Sequence, residues 1–170
     1  AEASSPPAEI TILDINASML DVARARAKER ALSDRIRTAE AHAERLPLES
    51  GSFDAATSAF GLRNVPDLPA ALREAHRVLR PGSRLAVLEF SHVDVAGLHR
   101  LYDLYSFKII PELGRAVVGE AEPYRYLVES IRRFPNQERF AAMLRTAGFE
   151  RVTYRNLSGG IVAIHSGWKL

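Results

Sequence analysis

The sequence predicts an α/β fold, a doubly wound sheet with helices packed on its faces, and three observations support that prediction. Short β-branched or apolar runs alternate with amphipathic stretches of helical period through the first half of the chain. Leu85-Ala86-Val87-Leu88 is apolar without alternation, the pattern of a strand covered on both faces of a mainly parallel sheet. The chain closes on two strand-like runs, 149–156 and 160–166, joined by Leu157-Ser158-Gly159, a link short enough for a hairpin.

Taken in order, Ile10-Thr11-Ile12-Leu13 is the first strand and ends at Asp14. Ser18 with Asp21 three residues on resembles a helix-capping box. The helix it opens carries Leu20, Ala23, Ala27 and Ala31 on one stripe, with Arg24, Arg26, Lys28 and Arg30 mostly off it, as for a helix lying on a sheet. A weaker second strand covers 36–39, and the run 53–59 is a third. Asp67 caps a helix with Leu68, Leu72, Ala75 and Leu79 on one face, and Pro81-Gly82 stops it. The apolar strand 85–88 then ends at Glu89.

The segment 98–118 breaks the rhythm, adding Leu98, Leu101, Tyr102, Tyr105, Phe107, Ile109 and Ile110 without a strand signal, and reads as a helical insertion or lid. Asn136 caps the last helix, whose Phe140, Met143, Leu144 and Ala147 share a stripe and whose stop is Gly148.

The 170 residues suit one domain, which at this length buries roughly 70% of its unfolded surface without a disulfide or metal staple. There are no cysteines, which excludes a disulfide scaffold and a thiol nucleophile. His76, His92 and His165 lack metal-ligand spacing, so no metal site is expected. Lys and Arg total 23 against 21 Asp and Glu, interspersed along the chain, which disfavours a nucleic-acid partner. No apolar run approaches the roughly 18–20 residues of a membrane span, and residues 1–7 lack the basic and apolar parts of a signal peptide. The small, proline-containing start without Met enters a strand at once and reads as a loop cut open, so the chain is expected to be a fragment.

Phe60-Gly61-Leu62-Arg63-Asn64-Val65 directly follows the third strand. In an open α/β sheet, ligands bind beyond the carboxyl ends of the strands, so a guanidinium and an amide at that edge read as a site. The competing reading is a solvated loop in which Gly61 permits the turn and Arg63 faces water.

Beyond that run, several others carry a family resemblance: 13–20 (Leu-Asp-Ile-Asn-Ala-Ser-Met-Leu), 43–47 (Ala-Glu-Arg-Leu-Pro) and 75–82 (Ala-His-Arg-Val-Leu-Arg-Pro-Gly). To these add 88–91 (Leu-Glu-Phe-Ser), 102–107 (Tyr-Asp-Leu-Tyr-Ser-Phe), 126–135 (Tyr-Leu-Val-Glu-Ser-Ile-Arg-Arg-Phe-Pro) and 160–167 (Gly-Ile-Val-Ala-Ile-His-Ser-Gly). Together they make the chain similar, over essentially its whole length, to the ubiquinone/menaquinone-biosynthesis C-methyltransferases. The runs at 102–107 and 126–135 resemble the ubiquinone branch most. The resemblance implies a single, partial Rossmann-like class I methyltransferase domain over 1–170, with an antiparallel last strand. It lacks the family's first strand and the glycine-rich loop that approaches the cofactor's methionine part. The implied cofactor is S-adenosylmethionine, and the implied acceptor is a carbon of a polyprenylated benzoquinol, with demethylmenaquinol as a further acceptor.

Residue by residue, the resemblance places Asp14 on the ribose hydroxyls and His42 with Ala43 beside the adenine, where Asp or Asn is usual before that Ala. Asp14 also fits a plain helix entry, and His42 a surface-loop residue. Ala59 lines the same crevice by position but offers no side-chain hydrogen bond. Arg63 and Asn64 match positions near the quinol. A guanidinium is a poor base, so Arg63 is assigned to the developing oxyanion with Asn64 orienting it. Glu89 either takes a ring proton or binds backbone amides at a turn. Tyr102, Tyr105 and Tyr126 line an apolar channel for the prenyl tail, or are plain core.

The implied partners are the quinol, a membrane surface touched peripherally, and a homodimer or multi-enzyme quinone-biosynthesis complex. The compartment is the matrix side of the mitochondrial inner membrane or the bacterial cytoplasm and inner-membrane surface. A non-catalytic assembly subunit of such a complex stays open, which the missing glycine loop and His42 permit. A nicotinamide-dependent dehydrogenase also suits Asp14 after a strand, but the terminal hairpin and the family motifs disfavour it.

Overall fold

Residues 8–91 and 122–170, which the computed structural model describes, alternate strand and helix much as the periodicity predicts. Strand β1 (Ile10–Asp14) leads into helix α1 (Ala17–Glu29), and β2 (Ile36–Glu40) pairs parallel with β1, from Ile10 opposite Ile36 to Asp14 opposite Glu40. Then come β3 (Phe53–Ala59), α2 (Leu68–Val78) and β4 (Leu79–Phe90). Helices α3 (Glu122–Arg133) and α4 (Gln137–Thr146) precede the terminal hairpin of β5 (Glu150–Leu157) and β6 (Val162–Lys169).

Among the described residues the strands fall into two sheets. β1 and β2 stand as a pair, and the remaining four run in the order β3-β4-β6-β5. β3 lies parallel to β4, whereas β6 is antiparallel to both β4 and β5, which is the expected reversed last strand.

Three local expectations are corrected. The cap of α1 is Asn16, not Ser18: Asn16 has extended backbone and its side chain accepts from the Ser18 amide at 2.9 Å, while Asp21 pairs with Arg24 instead. Pro81-Gly82 does not end α2, which stops at Val78 when Leu79 turns extended. The dipeptide instead sits inside β4 at a break in register, Phe53 facing Leu79 while Ala55 faces Arg84, with Gly82 at φ +83°. A proline cannot donate to the ladder and is tolerated only at such an irregularity. The last carbonyls of α2 are met by Lys169, whose Nζ donates to His76 O at 2.9 Å and Leu79 O at 2.8 Å.

The third concerns β4, read as covered on both faces. Ser83, Leu85, Val87 and Glu89 are buried, but the alternate residues Ala86, Leu88 and Phe90 are only half-buried. The buried face meets Leu68 and Leu72 of α2, Phe140 and Leu144 of α4, Phe134 and Phe149 in one core. The segment 98–118, read as a lid, lies outside the described residues.

Candidate functional site

The carboxyl ends of the parallel strands carry the chemistry-bearing side chains. The last β3–β4 ladder bond runs from the Phe60 amide to Leu88 O at 2.9 Å, so Phe60 leaves the sheet beside Glu89. Phe60 then adopts φ +57°, a left-handed conformation that costs a non-glycine residue of order 1 kcal/mol. The sequence assigns this bend to Gly61, but Gly61 has an ordinary φ of −107°. The strained turn folds the chain back, and Leu62–Asn64 form a short 3-10 turn over the end of β4.

That turn sets Arg63 on Glu89. The Arg63 backbone amide donates to Glu89 Oε1 at 3.2 Å, its Nη1 to Oε2 at 3.3 Å, and the Phe90 amide to Oε2 at 3.1 Å. Nη1 also donates to Phe60 O. Glu89 is 1% exposed and the Arg63 side chain 12%. Burial pushes the Glu89 carboxyl above the usual carboxylate range, and the Arg63 amide, its charge and the Phe90 amide pull it back. The guanidinium carbon lies 6.0 Å from the Phe60 ring centre and 5.4 Å from that of Phe90, and the two rings are 4.8 Å apart. Arg63 Nε is buried with no hydrogen-bond partner among the described residues.

Asn64 is exposed, and its Oδ1 accepts from the Tyr126 hydroxyl of α3 at 3.3 Å. That leaves the Asn64 amide NH2 as a donor. Tyr126 is itself 53% exposed and is not core. Arg63, Asn64, Glu89 and Tyr126 therefore form one constellation, with an anchored cation at its centre.

Of the predicted cofactor-side residues, Asp14, His42 and Ala43 form a second group at the β1–β2 pair, and Ala59 lies apart on the other sheet. Asp14 is half-buried at the end of β1; its Oδ1 accepts from the Asn16 amide at 2.8 Å, and its carbonyl accepts from the Ala41 amide at 3.0 Å. His42 is exposed in a tight turn closed by the Arg45 amide on His42 O at 3.1 Å, with Ala43 half-buried inside it. Ala59 is exposed at the end of β3. Tyr102 and Tyr105 lie outside the described residues. Among the described residues no cluster of His, Asp or Glu is arranged to hold a metal ion, and no helix is long and apolar enough to cross a membrane.

Sequence reasoning missed Phe60 and Phe90 as the aromatic wall of Arg63. The signal available was their position, Phe60 directly after the end of β3 and Phe90 as the last residue of β4.

Residues 1–169 match the model of the ubiE/COQ5 methyltransferase family. Over 169 residues the chain is 61% identical to the ubiquinone/menaquinone biosynthesis C-methyltransferase UbiE of Rhizobium johnstonii, covering 99% of this chain and 66% of that protein. It is 60% identical to the protein of the same name from Agrobacterium fabrum, covering 99% and 65%. The chain thus spans about 66% of the length of the curated relatives it matches. Among solved structures, the [4+2]-cyclase SpnF aligns at TM-score 0.70 and 21% identity over 95% of this chain and 66% of its own. A SAM-dependent methyltransferase of Thermotoga maritima aligns at TM-score 0.61 and 19% identity over 99% and 85%. These two likenesses speak to fold alone.

Proposed function

Because the chain belongs to the ubiE/COQ5 methyltransferase family, we propose that it transfers a methyl group from S-adenosylmethionine to a ring carbon of a polyprenyl benzoquinol. The acceptor is of the 2-methoxy-6-polyprenyl-1,4-benzoquinol type in ubiquinone biosynthesis, with demethylmenaquinol as the alternative acceptor. The observation that carries this reading is the Arg63–Glu89 pair at the strand ends, an immobilised cation at 3.3 Å from a buried carboxylate.

The nucleoside half of the cofactor suits the β1–β2 edge. Asp14 has one carboxylate oxygen engaged by the Asn16 amide, and its second oxygen suits a ribose hydroxyl. His42 offers the adenine an acceptor only as the neutral tautomer that leaves the facing nitrogen bare. When bound, the cofactor supplies an electrophilic methyl group on a sulfonium.

The protein's own work is alignment and charge. The nucleophile is the ring carbon of an ionised quinol: the new C–CH3 bond forms as the methyl–sulfur bond breaks to leave a neutral thioether, and the ring C–H proton then passes to water. A guanidinium held in place stabilises the phenolate oxygen that makes that carbon nucleophilic, without reorganising. Arg63 is held so by Glu89, by Phe60 O and by two rings. With both oxygens of Glu89 taken by amides and guanidinium, the geometry favours it as counter-ion of Arg63 over acceptor of the ring proton. Asn64, turned by Tyr126, offers its NH2 to a second acceptor oxygen. The polyprenyl tail ties the acceptor to a bilayer, so the proposal includes peripheral membrane contact, in a homodimer or a quinone-biosynthesis complex.

The test is transfer of a radiolabelled methyl group from S-adenosylmethionine to a short-tailed 2-methoxy-1,4-benzoquinol, run beside a demethylmenaquinol analogue. Label in the ring of the first supports the reading. Label in neither, with the cofactor bound, overturns it and favours an assembly subunit.

A further inference from the structure

Two charged residues of α2, Glu74 and Arg77, take no part in the constellations above, yet they hold the loop that crosses between the two sheets. Glu74 Oε2 accepts from the Leu46 amide at 2.8 Å. The guanidinium of Arg77 donates from Nη2 to Leu46 O at 3.0 Å, and from Nη1 to Leu48 O at 2.8 Å and Ser50 Oγ at 3.1 Å. The two side chains brace each other, Nε to Oε1 at 2.7 Å and Nη2 to Oε2 at 2.8 Å. The Arg77 carbonyl in turn accepts from the Gly51 amide at 3.0 Å.

At its other end the same loop is tied by the Ala41 amide to Asp14 O at 3.0 Å. The turn that carries His42 and Ala43 is therefore strung between two anchors, one on β1 and one on α2. An isolated surface ion pair of this i,i+3 type contributes little. This one is different in kind, because beside bracing each other both members also bond loop backbone, Glu74 the Leu46 amide and Arg77 the Leu46 and Leu48 carbonyls, and the fork of an arginine reaches several acceptors at once.

We infer that Glu74 and Arg77 are positioning residues for cofactor binding: they fix the 41–50 loop so that His42 and Ala43 meet the adenine while Asp14 meets the ribose. The inference rests on the methyl-transfer reading above and adds to it a pair of residues remote from the reacting atoms. Arg77→Lys removes the planar fork but keeps a cation for Glu74, and Glu74→Gln keeps an acceptor for Leu46 but removes the charge that holds Arg77.

The experiment pairs amide hydrogen exchange with kinetics on the protein carrying Arg77→Lys or Glu74→Gln. Gly167→Ala, which strains the packing of β6 on Phe149 and Val152, serves as a control for lost stability. Exchange is expected to rise at 41–50 without rising in β4 and β6, and KM for S-adenosylmethionine to rise on the order of tenfold while kcat at saturation holds. The Gly167→Ala protein is expected to keep its KM. Faster loop exchange with an unchanged KM overturns the inference and leaves the methyl-transfer reading standing. Unchanged exchange in both variants overturns it as well. A parent protein that takes up no cofactor overturns both readings.

Discussion

Arg63 and Glu89, 26 positions apart, form a pair in which backbone and side chain of the arginine both bind the carboxylate, at 3.2 and 3.3 Å. Removing one member of such a buried pair leaves the other uncompensated, which costs about 3–5 kcal/mol. Glu89→Ala is expected to lose stability in that range, and Glu89→Gln less, because an amide oxygen still accepts from the Arg63 or Phe90 amide. Urea unfolding measures both; a Glu89→Ala loss below about 1 kcal/mol would show that the pair is not coupled in solution.

Arg63→Lys keeps a charge for Glu89 but gives up the planar group lying against Phe60 and Phe90. If Arg63 stabilises charge that develops only during the reaction, kcat falls by about 100-fold or more with KM for the cofactor little changed. Steady-state kinetics decide this, and a normal kcat with only a raised KM would contradict the role.

His165 of β6 is 2% exposed, set between the Phe140 and Tyr154 rings with Nε2 at 3.0 Å from Gln137 O. Burial pushes its pKa below the ordinary 6.5, against smaller opposing effects of Gln137 O and the Glu138 charge. The fold thus favours the neutral ring, and unfolding takes up a proton below pH 6.5. The contribution is complete above that pH and is lost as pH falls, by at most about 1.4 kcal/mol per pH unit. His76, lowered chiefly by burial, acts in the same direction. Glu89 acts oppositely: its raised carboxyl binds a proton more readily in the fold, so its contribution grows as pH falls. Comparing His165→Gln with the parent protein cancels those two. The variant should show a flatter dependence of unfolding free energy between pH 7 and 5, and parallel curves would refute the assignment.

Gly167 packs so closely that an added Cβ would meet Phe149 Cβ at 2.8 Å and Val152 Cγ2 at 3.2 Å. Phe149 is buried in the core, with the His76 ring centre 5.1 Å from its own, so it has little room to retreat. Gly167→Ala is expected to destabilise by about 1–3 kcal/mol, read from the denaturation midpoint. A neutral or stabilising result would mean that β5 and β6 adjust freely.

What the sequence by itself determined is the order and type of the six strands and of helices α1, α2 and α4 among the described residues; α3 was not read from it. Phe53–Ala59 matches its predicted span, and Asp67 and Asn136 cap their helices as expected, each by a side-chain oxygen on a backbone amide three residues on. The placement of Asp14 and Glu89 at strand ends, and of Arg63 in the turn after β3, was legible for the same reason: periodicity and cap chemistry are local, and strand ends mark the ligand edge.

Only the tertiary structure decided the rest. Which residue of the Phe60-Gly61 pair takes the left-handed turn depends on the Phe60 amide closing the ladder on Leu88, a contact across the sheet. That Glu89 lies under Arg63, and that Glu74 and Arg77 grip the loop after β2, are pairings between segments about 26 to 31 positions apart. No local pattern encodes them, because charged side chains read alike in a sequence whether they face water or each other. Burial in the folded chain assigns the partner, since a buried charge is stable only when paired and hydrogen-bonded.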